Sequence, residues 1–174
     1  SLGDVWALRG SSSVCWCGAL ITRNQELTAQ AMKIGQGGLG AATLEPGGAA
    51  AMYRELPAEY YTAVREEYQR RRDTVVESLS KIPGIRFSHP DGAFYVMATL
   101  PVDDAEKLQY FLLEEFEDHG ETVMYTPAES FYATPGKGRN EIRIAYVTNP
   151  AELSRSIELL GLGITAYNAR GEKA

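Results

Sequence analysis

Between residues 57 and 81 apolar side chains recur at helical spacing, and at Pro83-Gly84 that pattern stops. Tyr60, Tyr61, Val64, Tyr68, Val75, Val76 and Leu79 mark the apolar side, while Glu66/Arg70 and Asp73/Glu77 mark the polar sides. A helix this long packs across more than one element, so the downstream chain has to supply partners for it. Residues 85–88 and 93–99 read as adjacent extended segments joined by a turn at Pro90-Asp91-Gly92. Residues 103–119 form an amphipathic helix with Leu108, Phe111, Leu112 and Phe116 as its stripe and Gly120 as its stop. A strand at 122–125, a Gly- and Pro-rich loop at 127–140, a strand around Arg143 and a helix at 150–167 follow, and the polar tail from Asn168 is expected to fray. The order after the long helix is β-β-α-β-β-α. It predicts an α/β fold, an open sheet with helices on a face.

Upstream the pattern is plainer. Asn24 can cap a helix through Met32 and Ile34, which Gly35, Gly37, Gly38 and Gly40 are expected to break. A second helix is expected from a Thr43 cap through residues 49–53, with Pro46 tolerated in the first turn and Gly47-Gly48 weakening it.

Composition removes several function classes. The 174 residues carry a formal charge of -6 with no basic stripe, which argues against nucleic acid as a partner. Arg70-Arg71-Arg72 lies among Glu66, Glu67, Asp73 and Glu77 and reads as a solvated helix face. No apolar run approaches the ~20 residues of a membrane span, so a soluble, cytoplasmic protein is expected. His89 and His119 are too scattered to build a metal site with Cys15 and Cys17. Both cysteines and both tryptophans, Trp6 and Trp16, fall within the first 17 residues. That break sets residues 1–17 apart from the rest.

Asn140-Glu141-Ile142-Arg143-Ile144-Ala145-Tyr146-Val147 places one arginine among β-branched and small apolar neighbours, in what is expected to be a buried strand. A guanidinium there needs an anion, because it is always charged and its planar fork matches a carboxylate with two parallel hydrogen bonds. From spacing alone a structural acid, Glu141 or a helix carboxylate, is the commoner partner. A ligand carboxylate is the other.

Several spaced pieces resemble one family. Ile21-Thr22-Arg23-Asn24-Gln25-Glu26-Leu27, Thr43-Leu44-Glu45, Glu66-Glu67-Tyr68-Gln69-Arg70-Arg71-Arg72-Asp73, Asp91-Gly92-Ala93-Phe94-Tyr95-Val96, Gly120-Glu121-Thr122-Val123-Met124, Ser130-Phe131-Tyr132, Gly136 and Glu141-Ile142-Arg143-Ile144-Ala145 occur in order. Together they resemble the C-terminal half of class I/II pyridoxal-phosphate-dependent aminotransferases of the aspartate/alanine type, over about residues 18–167. The resemblance implies the small C-terminal domain of a type I fold transferase, preceded by helices of the large domain. On that reading residues 1–17 are atypical, 18–56 are a remnant of the large cofactor domain, 57–81 the interdomain helix, and 82–174 the small domain.

In that family the arginine matching Arg143 binds the substrate α-carboxylate, and the glycines and Ser130 before it shape the surrounding loop. Full-length members are homodimers that pass an amino group between an amino acid and a 2-oxo acid through pyridoxal phosphate. The pattern Ser-x-Ser-Lys followed by Gly-x-Arg-x-Gly is expected on residues 5–18, but its serine positions hold Val5 and Ala7 and its lysine position Leu8. Val14 stands at the glycine and Trp16 at the phosphate-binding arginine. Leucine forms no Schiff base and moves no proton, and tryptophan brings no charge to a phosphate. Gly40-Ala41-Ala42 likewise stands where members carry a serine and prolines at the dimer interface. No catalytic residue is therefore assigned, and binding of pyridoxal phosphate by this chain is in question. Residues 1–17 are either diverged or foreign to the family, the second being favoured. Two functions are expected to compete: a transaminase fragment supplying the carboxylate clamp, inactive alone, and a non-catalytic amino-acid-binding or interaction module.

Overall fold

Asn24 starts the first long helix as its side chain suggests: the Leu27 N–H donates to Asn24 Oδ1 at 3.1 Å, satisfying one of the amides a helix start leaves open. The computed structural model describes residues 6–9, 18–37 and 44–171. It divides into two units, Ser1–Tyr60 and Tyr61–Ala174. In the first, β1 (Trp6–Arg9) pairs antiparallel with β2 (Gly18–Ile21), with Leu8 opposite Ala19. Helix α1 (Gln25–Gly37) contains Gly35 and Gly37, where the sequence pattern predicts a break. A glycine costs roughly 1 kcal/mol inside a helix and lacks the steric veto of proline, so the hydrogen-bond ladder runs through both. Helix α2 (Leu44–Glu55) accommodates Pro46 in its first turn, where a missing N–H loses no intrahelical bond. The Thr43 cap, Gly38 and the Gly40-Ala41-Ala42 loop lie outside the described residues. Met32, Ile34 and Tyr53 are exposed on these two helices.

Helix α3 (Ala58–Ser80) matches the long periodic segment, and it buries Val75 and Leu79. Strands β3 (Arg86–Phe87) and β4 (Tyr95–Thr99) follow, then α4 (Ala105–Glu114), β5 (Thr126–Pro127), β6 (Glu141–Ala145) and α5 (Pro150–Gly171). The four strands form one antiparallel sheet in the order β3-β4-β6-β5. Strand alternation then sorts its two faces. Val96, Ala98 and Ile142 point to the side covered by helices and join Leu79, Leu108, Leu112, Ile157 and Leu160 in the core. Leu79, Leu100, Leu108, Leu112 and Ile142 are 1% exposed or less, each contributing about 1.5–3 kcal/mol of burial. Tyr95, Met97, Thr99, Glu141, Arg143 and Ala145 share the opposite face.

Further boundaries differ from the expectation. Strand β4 begins at Tyr95 instead of residue 93, because Ala93 takes a left-handed conformation at φ 61°, held there by the Tyr146 hydroxyl on its carbonyl at 3.2 Å. Helix α4 ends at Glu114, and the chain turns at 118–121 through His119 and Gly120, with φ of 54° and 78°. The strand expected at 122–125 makes no ladder: the Thr122 hydroxyl donates to Leu112 O at 2.5 Å and Tyr125 N–H to Gln109 Oε1 at 3.3 Å, so this segment bonds to α4. Pairing starts only at Thr126. The final helix runs on to Gly171 where fraying was expected from Asn168, since Asn168 Nδ2 donates to Pro101 O and Arg170 Nη1 to Glu115 Oε1, both at 3.0 Å. No helix among the described residues is long and apolar enough to cross a membrane.

Candidate functional site

Arg143 sits at the middle of β6, flanked by Met97 on β4 and Thr126 on β5. The strand is half-buried rather than buried: Ile142 is buried, Glu141, Arg143 and Ile144 are half-buried, and Ala145 is exposed. Two rings bracket the guanidinium. Its Cζ lies 5.7 Å from the Tyr95 ring centroid and 5.0 Å from that of Phe131, which a short 3-10 turn, Glu129–Phe131, brings over the sheet. Such contacts are worth about 0.5–1 kcal/mol each at exposed sites, and they orient the planar group while leaving its N–H edge open.

The structural acid considered above is not Arg143's partner. Glu141 shares its face of the sheet but accepts a 2.5 Å hydrogen bond from the Tyr132 hydroxyl. Among the described residues no ion pair or hydrogen bond engages the Arg143 guanidinium. Several arginines on this unit are neutralised, Arg71 by Glu67, Arg139 by Asp104, Arg155 by Asp118, Glu121 and Glu158, and Arg170 by Glu115, whereas Arg65 and Arg86, like Arg143, form no ion pair among the described residues. An arginine fork of this kind matches a carboxylate with two parallel hydrogen bonds.

The approach to β6 is fixed from three sides. Asp104 caps α4 by accepting the Glu106 and Lys107 amides at 2.9 and 3.1 Å, and its other oxygen accepts from Arg139 Nε at 3.0 Å. Burial pushes the Asp104 carboxyl up, but the Lys107 amide, Arg139 and the Glu106 amide together hold it below its ordinary value. Asn140 exchanges hydrogen bonds with Leu100, and Ala128 N–H donates to Glu141 O at 2.9 Å. Gly138, at φ 77°, packs on the Tyr132 ring so closely that a Cβ there would collide with it. Ser130 lies in the 3-10 turn beside Phe131.

Of the residues singled out from sequence, Arg143 lies on β6 near the Tyr95 and Phe131 rings. Leu8 is described only as a strand residue of β1, and Trp16 lies outside the described residues. Sequence reasoning missed Tyr95, Phe131, Tyr132 and Asp104. Tyr95 has the same strand parity as Arg143 once the register is known, and Phe131-Tyr132 is an aromatic pair inside a glycine-rich loop, which was the available signal.

The family model for aminotransferase class I and II matches residues 15–160. The chain belongs to this family. It is 29% identical over 171 residues to the aspartate aminotransferase of Musicola paradisiaca, covering 94% of this chain and 38% of that protein. It is 34% identical over 104 residues to the probable aspartate/prephenate aminotransferase of Aquifex aeolicus, covering 57% of this chain and 24% of that one. The chain therefore spans between 24% and 38% of the length of these curated relatives. Among solved structures, the α-aminoadipate aminotransferase LysN of Thermus thermophilus, complexed with N-(5'-phosphopyridoxyl)-L-leucine, superposes with a TM-score of 0.74 at 21% identity over 87% of this chain and 38% of that one. An archaeal alanine:glyoxylate aminotransferase gives 0.72 at 22% identity over 86% and 36%. These likenesses establish the aminotransferase fold, and the family implies pyridoxal phosphate as its cofactor.

Proposed function

We propose that this aminotransferase chain is the part of a transaminase that grips the substrate carboxylate, and that alone it does not transaminate. The observation that carries the reading is Arg143: a guanidinium held between Tyr95 and Phe131 with no acid among the described residues to neutralise it. A carboxylate paired to its N–H edge would fix an amino acid or a 2-oxo acid in orientation, and orientation is a large share of what such an enzyme supplies. The expected partners are those two small molecules, with the full-length protein a cytoplasmic homodimer and neither nucleic acid nor membrane as a partner.

Pyridoxal phosphate, when bound, supplies the carbonyl that accepts the amino group and the ring that stabilises the resulting charge. The residues in hand do not fit its attachment. Leu8 stands where the motif calls for the Schiff-base lysine, and a hydrocarbon offers no amine; Trp16, at the phosphate arginine, offers no charge. Leu8 also favours a second reading, a non-catalytic amino-acid-binding module in which Arg143 keeps its ligand and the chemistry is gone.

Titration calorimetry with L-alanine and with L-alaninamide, which lacks the carboxylate, tests the common element of both readings. Binding of alanine with none of the amide is expected. Equal heats for the two would remove the carboxylate from the account.

A further inference from the structure

The Arg143 guanidinium has a rival for its ligand within its own strand. Glu141 precedes it by two positions, so both project from the same face, with Cα atoms about 6.6 Å apart at ~3.3 Å per residue. Each side chain is long enough to close that gap, and a carboxylate that did so would occupy the fork an incoming substrate needs. In the structure it does not close. The Tyr132 hydroxyl donates to Glu141 Oε2 at 2.5 Å, the short distance of a charge-assisted O–H···O bond.

The tyrosine is itself fixed. Gly138 packs against its ring, and Lys137 Nζ lies 4.9 Å from the ring centroid on the other interaction. The loop from the 3-10 turn to β6 thus returns the hydroxyl to the sheet beside Glu141. One further cation shares that neighbourhood: Arg86 on β3, opposite Thr99, which in turn is opposite Glu141. It forms no ion pair with Glu141 in this arrangement. The glutamate bond also raises the Tyr132 hydroxyl above its ordinary pKa, so it remains a donor through the neutral range.

We propose that Tyr132 is a positioning residue for Arg143: its hydroxyl holds the Glu141 carboxylate aside, so that the guanidinium keeps its fork open for a ligand carboxylate. This rests on Arg143 being the carboxylate clamp. Tyr132 touches no ligand in this role. It acts by removing an internal competitor, and exposed ion pairs are weak, so its effect on affinity is modest.

The test uses the chain labelled with 15N-arginine, with the Arg143 Nε–H signal assigned by its loss in Arg143→Lys. Wild type, Tyr132→Phe, Glu141→Gln and the double variant are compared without ligand and during titration with sodium acetate. Phenylalanine preserves the ring, so the fold has no reason to fail. In Tyr132→Phe the ligand-free Arg143 signal is expected to move and acetate to bind about three- to fivefold more weakly. Adding Glu141→Gln is expected to reverse both changes. An unmoved ligand-free signal in Tyr132→Phe, with Glu141 turning to Arg86 or to water, would overturn the proposal. So would a shift that Glu141→Gln fails to reverse, which would mark Tyr132 as merely structural. If acetate leaves wild-type Arg143 unmoved, the clamp reading fails and this proposal with it; a wild type that responds, beside a silent Tyr132→Phe, defeats this proposal alone.

Discussion

Arg139 donates through Nε to Asp104 Oδ2 at 3.0 Å, joining the residue that opens the approach to β6 to the cap of α4. Asp104 is only 8% exposed and serves both groups at once. Asp104→Ala is expected to lower stability by about 1–2 kcal/mol, the range for a lost N-cap, with Asp104→Asn recovering part of the cap but not the ion pair. Urea denaturation read by circular dichroism checks both variants.

The same carboxyl gives acid sensitivity a sign. Its folded pKa lies below the ordinary 3.8, and Asp103, held by the Tyr167 hydroxyl, is lowered as well. A carboxyl depressed on folding stabilises the fold above its unfolded pKa and loses that contribution as pH falls through the folded value. Stability is therefore expected to be flat in this contribution from neutral pH to about pH 5 and to fall below pH 4, with a shallower acid slope in Asp104→Asn. A melting series between pH 2 and 7 measures it; an unchanged slope in the variant would contradict the assignment.

Gly163 on α5 faces Leu112 on α4, and a Cβ built on it would collide with Leu112 Cδ2. Leu112 is fully buried and has no room to retreat. Alanine would add about 1 kcal/mol of helix propensity but force an overpacked core, a cost of about 1–3 kcal/mol. Gly163→Ala is thus expected to destabilise despite the better helix former, whereas Gly35→Ala on α1, where a Cβ meets nothing within 4 Å, is expected to stabilise. Opposite shifts in melting temperature would be the signature.

With Leu8 at the lysine position, adding pyridoxal phosphate is expected to produce no internal-aldimine absorbance band, and borohydride to fix no cofactor at a family position. Mass spectrometry after reduction and digestion locates any adduct. A single stoichiometric adduct with transaminase activity would refute the inactivity of the chain.

The parts of the fold written in local periodicity were legible. The α4 stripe, the Asn24 cap and the Val75–Leu79 end of the α3 stripe each depend on residues within one or two turns, whereas Tyr60, Tyr61 and Val64 of the same stripe are exposed. The end of α4 was not, because Phe116 continues the apolar spacing past Glu114 and still packs near Phe111, so the pattern outlasts the helix. The segment 122–125 looked like a strand by composition, yet its hydrogen bonds go to α4, a tertiary choice no spacing reveals. At the site, Arg143 announced itself as a charge in an apolar strand. Which acid it lacks could not be read there, since Tyr132 captures Glu141 from nine residues away across a loop.

That the Arg143 fork receives a carboxylate is put to its sharpest test by comparing wild type with Arg143→Ala and Arg143→Lys in binding a 2-oxo acid. Calorimetric affinities for pyruvate are expected to fall by about tenfold or more in Arg143→Ala, and by less in Arg143→Lys, which keeps the charge without the bidentate geometry. Pyruvate binding that is the same in all three proteins would contradict it.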